Sequence, residues 1–104
     1  MVRQFDVVPN PEPAEADTRP FLIVLQSDLT VGLTSTIVAP LVPRDRMTGA
    51  DRLNPLVKIQ GRTFWLATHE LFAVDRRILG GAVANLESAR YAIIAALDLL
   101  FTGI

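Results

Sequence analysis

Ser27, Asp28 and His69 are the residue types of a nucleophilic hydrolase: a hydroxyl, a carboxylate and an imidazole. The histidine is the only one in the chain, and nothing in the spacing ties it to the other two. Beside Glu70 it reads as a solvated turn histidine in preference to a catalytic base. The carboxylate pairs Glu12 with Glu15 and Asp45 with Asp51 lie in loops without a histidine or further ligand at metal spacing. Solvation accounts for them, and neither a metal nor a cofactor is expected. Gly80-Gly81 lacks the surroundings of a phosphate loop or dinucleotide fingerprint and reads as a turn. Trp65 reads as a core residue in preference to a ligand platform. Arg76-Arg77 would suit a phosphate or carboxylate, yet two exposed arginines are ordinary surface. No active site is assembled at this level, which points to binding over catalysis.

The chain has 104 residues, enough for one domain over 1–104, since a second stable core would need roughly 100 more. With 50% hydrophobic and 20% charged residues it has the material for a compact core. A net charge of −1 supplies no field for general nucleic-acid or anionic-membrane binding. The absence of cysteine removes disulfides, thiolate metal sites and cysteine nucleophiles, and suits the cytoplasm. Met1-Val2-Arg3-Gln4-Phe5-Asp6 is no signal peptide, and no run approaches the ~20 apolar residues that span a bilayer.

The elements that would position any site are mostly short and extended. Phe5, Val7 and Val8 start a strand over Arg3 to Val8 that stops at Pro9. Residues 9–20, with Pro9, Pro11, Pro13 and Pro20, read as a mobile loop without fixed structure. Phe21 to Leu25 is an apolar run too short for a typical helix, expected to be a strand buried on both faces. Leu29 to Leu33 forms a turn or ragged extension, and Ser35 to Ala39 a further strand. Pro40 and Pro43 limit Leu41-Val42 to an edge or a bend. Arg44 to Asp51 is a loop. Leu56 to Ile59 and Thr63 to Leu66, across Gln60-Gly61-Arg62, form the clearest hairpin. Leu71 to Val74 adds one more strand.

The last segment, residues 85–101, is the only strong helix. Asn85 is an acceptable N-cap, and Glu87 suits the positive end of the helix dipole. Leu86, Ala89, Ile93, Leu97 and Leu100 line one face. Between Tyr91 and Phe101 only Asp98 is charged, so a lone helix would expose too much hydrocarbon, which a twofold dimer would cover. Gly103 lets the chain leave the helix. The architecture implied is mainly β, about six antiparallel strands closed by one C-terminal helix. That is a small SH3-like barrel or a related α+β sheet.

The ending Leu99-Leu100-Phe101-Thr102-Gly103-Ile104, the strand Leu22 to Asp28 and the run Pro55 to Ile59 together resemble the CcdB family. Its members are toxins of type II toxin-antitoxin modules that poison DNA gyrase. The similarity runs from Phe5 to the last residue, and it implies the SH3-like barrel, shared with MazF-type toxins, and a homodimer. In the family a C-terminal Trp-Gly-Ile inserts into the gyrase A subunit, its indole stacking on an arginine. The matching residues are Thr102, Gly103 and Ile104, and a threonine cannot stack on a guanidinium. Losing such an anchor costs on the order of 2 kcal/mol, roughly thirtyfold in affinity. The resemblance places Leu29, Thr30, Asp98 and Phe101 on the same surface, with Asp98 where the family has a neutral amide. For antitoxin binding it implies Phe5, Val24 and the loop of Arg44, Arg46 and Met47. Phe5 and Val24 read equally well as core residues.

Three functions compete at this level. One is a toxin, not an enzyme, that binds the gyrase A subunit, traps the cleaved DNA complex and is neutralised by a cognate antitoxin that folds on binding. Another is a homologue that keeps the fold and antitoxin but has lost gyrase poisoning through Thr102. The third is a MazF-like endoribonuclease, against which the near-neutral charge and the lack of an acid-base pair count.

Overall fold

The computed structural model describes residues 2–30 and 32–104. Val31, inside the turn expected over Leu29 to Leu33, lies outside them. The described residues form seven strands: β1 (Asp6–Pro9), β2 (Phe21–Val24), β3 (Ser35–Pro43), β4 (Leu56–Ile59), β5 (Arg62–Leu66), β6 (Phe72–Asp75) and β7 (Ala84–Asn85). They are followed by one helix, α1 (Arg90–Thr102). All pairings are antiparallel, in the order β4-β5-β3-β2-β1-β7 with β6 also on β3. The sheet curls into a nearly closed barrel, the mainly β architecture with one C-terminal helix that the sequence predicts.

The hairpin of β4 and β5 follows from its turn. Gln60 and Gly61 take φ of 54° and 80°, the left-handed pair that a two-residue turn between twisted strands requires. Alternation then buries Val57, Ile59, Phe64 and Leu66 and turns Leu56 and Lys58 outward. In β2 both faces are covered. Ile23 packs in the main core with Phe5, Val7, Leu41, Phe64 and Ile93, while Leu22 and Val24 pack with Val8 and Val38 on the opposite face. Phe21 meets the Phe64 ring edge-on, centroids 5.6 Å apart.

Phe5 takes φ 69°, an uncommon conformation for a bulky residue. The surroundings over-determine it: its N–H donates to Val24 O at 2.7 Å, its carbonyl accepts from Leu86 N at 2.9 Å, and its ring is fully buried beneath the Arg90 guanidinium.

Three expectations are corrected. First, Pro40 and Pro43 do not confine Leu41-Val42 to an edge or bend, because β3 runs through Pro40 as the central strand and ends only at Pro43. Pro40 falls where β3 changes partner, between the last pair with β6 (Val38↔Phe72) and the first with β5 (Leu41↔Leu66). Only its carbonyl is used on that side, by Ala67 N at 3.0 Å.

Second, the helix expected over 85–101 starts at Arg90. Asn85 pairs with Asp6 in β7, making the seventh strand, and its carboxamide oxygen accepts from Glu87 N at 2.8 Å to open a 3-10 turn at Glu87–Ala89. Third, the 9–20 connection, expected to lack fixed structure, has defined hydrogen bonds. Asn10 N bonds Pro20 O and its amide bonds Arg19 O, while Glu12 caps a turn at Pro13–Glu15.

Only Ile93 and Ala96 of α1 are buried, with Ile94 and Leu97 partly buried against the core. Tyr91 and Phe101 stand exposed, at 86% and 69%. Among the described residues no helix is long and apolar enough to cross a membrane.

Candidate functional site

The end of α1 is a small, tightly capped projection. The Thr102 hydroxyl donates to the Asp98 carbonyl at 2.6 Å, so the threonine side chain folds back along its own helix. Gly103, at φ 80°, donates its N–H to Leu99 O at 3.1 Å, a left-handed C-cap that a side chain would strain. Arg52, itself at φ 67°, reaches across and donates from Nη2 to the Ile104 carbonyl at 2.9 Å. Phe101 and Ile104 are left facing solvent.

Asp98, Phe101, Thr102, Gly103 and Ile104 are thus gathered at one helix end, and all but the glycine's backbone role follows from adjacency in sequence. Leu29 and Thr30 belong to a separate turn, Asp28–Thr30. Leu29 is 95% exposed, while the Thr30 hydroxyl accepts from Gln26 Nε2 and donates to Ser27 O. Among the described residues no hydrogen bond or ion pair joins this turn to the helix end. Arg52, which holds the tail, escaped the sequence reading, and a lone arginine in a polar loop carried no signal that would have found it.

The residues singled out for antitoxin fall into two groups. Phe5 and Val24 are fully buried and have no surface to give a partner in this fold, which matches the core reading. Arg44 and Arg46 lie exposed on a 3-10 turn with Met47 half-buried beside them. Trp65 Nε1 donates to Arg44 O at 3.1 Å, bracing that turn. Trp65 is half-buried, which corrects the core assignment: its ring walls a surface cavity of about 560 Å³ with Gly49, Arg52, Leu56, Ala92 and Ala95.

Ser27, Asp28 and His69 are not one site. Ser27 Oγ accepts from Leu29 N and Asp28 from Gln4 N, with Arg3 3.7 Å from the Asp28 carboxylate. His69 instead meets Asn54, its Nδ1 3.2 Å from Asn54 Nδ2. It lines a second cavity, about 470 Å³, with Arg19, Arg46, Thr48, Asn54 and Glu70. There Arg19 donates to both Glu70 oxygens, at 2.7 and 2.9 Å. These hydrogen bonds hold the Glu70 carboxyl below its ordinary value, against an opposing push from burial, and raise the Arg19 guanidinium.

Arg19, Thr48 and Asn54 went unnoticed in sequence because polar residues in two separate loops look like solvated surface. Arg77 is locally employed, gripping Asp75 at 2.7 Å and pulling its carboxyl down to about 2. Among the described residues no group of three or more histidine, aspartate or glutamate side chains is placed to hold a metal.

No curated protein sequence matches the chain. Among solved structures it is similar to the Mycobacterium tuberculosis toxin MazF-mt6, with a TM-score of 0.70 over 95% of this chain and 96% of that one. The two are 16% identical, so the likeness is one of fold. The family described as CcdB protein matches residues 4–103, nearly the whole chain and through the capped glycine that ends the helix. The chain belongs to the CcdB family.

Proposed function

We propose that this chain is the toxin of a type II toxin-antitoxin pair and that it binds the DNA gyrase A subunit through the end of α1, trapping the cleaved DNA complex. Family membership supports a toxin of the CcdB type. The observation that carries the finer reading is the helix end itself. Phe101 and Ile104, 69% and 81% exposed, project from a backbone fixed by the Gly103 cap and the Arg52 tether. A rigid apolar projection loses little entropy on entering a pocket. Asp98 and Thr102 border it, while Leu29 and Thr30, in the separate Asp28–Thr30 turn, are assigned to the same contact by the family resemblance alone.

The working form is a cytoplasmic homodimer. Tyr91, Ala92, Ala95 and Phe101 leave α1 with more apolar surface than a lone surface helix carries, and a twofold partner covers such a face. The antitoxin approaches at Arg44, Arg46 and Met47. Phe5 and Val24 are fully buried and act in the core, outside that contact.

A second reading is favoured by one hydrogen bond. Thr102 spends its hydroxyl on Asp98 O and offers no aromatic face, so a chain that keeps its antitoxin but poisons gyrase weakly also fits. The endoribonuclease reading has the fold likeness alone behind it.

A DNA cleavage assay with host gyrase, ATP and increasing protein separates these. Linear DNA after protease treatment supports the gyrase toxin. No linear DNA from a confirmed dimer leaves the attenuated reading, and cleavage of RNA by the pure protein would replace both.

A further inference from the structure

The cavity beside His69 has a donor and acceptor balance that points to a ligand. Asn54 is buried at 4% exposure, and its carboxamide is oriented by backbone on both sides. Its Oδ1 accepts from Ala50 N at 2.9 Å, and its Nδ2 donates to Leu66 O at 3.0 Å. The second Nδ2 hydrogen is therefore what faces His69 Nδ1, 3.2 Å away. Nδ1 must accept, which leaves the ring proton on Nε2. That Nε2 lies 3.7 Å from the nearest Glu70 oxygen, too far for a formed hydrogen bond, so its N–H is free for another acceptor.

The other groups add donors and no free anion. Glu70 is neutralised by the two-point contact with Arg19. Arg46 has no hydrogen bond or ion pair among the described residues and brings an uncompensated guanidinium to the wall. Thr48 brings a hydroxyl that is likewise without a partner there. The side chains thus present a guanidinium fork, an imidazole N–H and a hydroxyl, while the amide acceptor is used internally.

We infer that this cavity binds a phosphoryl group, held by Arg46, His69 Nε2–H and Thr48. Three donors from two segments match the three terminal oxygens of a phosphate monoester, where a carboxylate has only two. The volume of about 470 Å³ leaves room for an organic carrier, and Met47 and Leu53 give that carrier an apolar wall. The inference is independent of the gyrase reading, because Arg46, Thr48 and His69 are not residues of the helix end and occupancy of the cavity is measured without gyrase.

The single imidazole makes the test direct. The long-range proton–nitrogen NMR spectrum of the full chain, labelled with nitrogen-15, shows one histidine whose proton sits on Nε2. Inorganic phosphate and ribose 5-phosphate, each added at constant ionic strength, shift Nε2 saturably, and sodium chloride does not. Arg46→Ala leaves the unliganded spectrum unchanged and weakens binding by about tenfold. In calorimetry His69→Gln, which keeps an N–H donor, binds more tightly than His69→Ala. Tighter binding of ribose 5-phosphate than of inorganic phosphate assigns a monoester, and equal binding assigns the phosphoryl group alone. A proton on Nδ1, acetate binding as well as phosphate, or affinity untouched by Arg46→Ala overturns the inference.

Discussion

Arg19 and Glu70, 51 positions apart, meet through two hydrogen bonds, Nε to Oε1 at 2.7 Å and Nη2 to Oε2 at 2.9 Å. The pair fastens the proline-rich 9–20 connection to the turn after β5, and it fixes the wall on which His69 stands. Both side chains are about one third exposed, at 30% and 33%, so water screens the attraction but the two-point geometry survives it.

Arg19→Ala should lower stability by about 1 kcal/mol at neutral pH. The pH dependence has a definite sign. Glu70 is held below its ordinary value near 4.5 in the folded chain, so the pair stabilises fully above that value. The contribution is lost as pH falls through the lower folded value. Urea unfolding of the parent chain and of Glu70→Gln should therefore differ at pH 7 and converge in acid. A gap that stays constant down to pH 2 would show that the loop is fastened by something else.

Gly49 should tolerate no side chain. A Cβ built there overlaps the six-membered ring of Trp65, and the ring cannot retreat without losing its bond to Arg44 O. Gly49→Ala is expected to cost about 1–3 kcal/mol. The melting temperature should fall by about 4–8 °C per kcal/mol. Because Trp65 is the only tryptophan, its emission reads the displacement directly as a red shift. Gly80→Ala, where a Cβ meets nothing within 4 Å, is the matched control and should stay within about 0.5 kcal/mol.

The two central residues of the β4-β5 turn should respond with opposite signs. Gly61, at φ 80° with open space around it, pays only backbone strain when changed to Ala, about 1–2 kcal/mol. Gln60, at φ 54°, already carries such strain, so Gln60→Asn or Gln60→Gly should raise stability by about 0.5–1 kcal/mol. Thermal melts of the three variants decide this. Destabilisation by Gln60→Gly would mean that the glutamine side chain contributes more than its backbone costs.

That turn also shows what the sequence made legible. Gln60-Gly61 between alternating apolar runs is a local signal, and so are the apolar run of β2 and the glycine that ends α1. Pro40 misled because its tolerance depends on a change of partner strand, a property of β5 and β6 and not of its neighbours in the chain. Asn85 misled because a good N-cap residue also suits the end of a strand, and pairing with Asp6 moved the helix start to Arg90. The cavity at His69 was beyond local reading altogether. Arg19, Asn54 and Glu70 each look like loop polarity until the barrel brings three connections together. The end of α1 was readable residue by residue, but the Arg52 tether was not.

Thr102→Trp is the most informative substitution at that end. The threonine hydroxyl bonds Asp98 O, so its removal frees a carbonyl that water can solvate at an exposed helix terminus. The Gly103 cap is backbone to backbone and the Arg52 guanidinium holds the Ile104 backbone oxygen, so neither uses the Thr102 side chain and both survive the change. An indole there would stand between Phe101 and Ile104, both already exposed, and add the stacking surface that the resemblance to gyrase poisons lacks. A buried aromatic anchor contributes on the order of 2 kcal/mol, so linear DNA should appear at roughly thirtyfold lower protein concentration than with the parent chain. If Thr102→Trp gains nothing, the carboxylate of Asp98 becomes the next suspect, since a charge desolvated on docking opposes binding unless it finds a partner. The double substitution with Asp98→Asn then distinguishes a blocked surface from a wrong target. Gain only in the double variant places the fault at Asp98, and no gain in either removes gyrase as the target of this helix end.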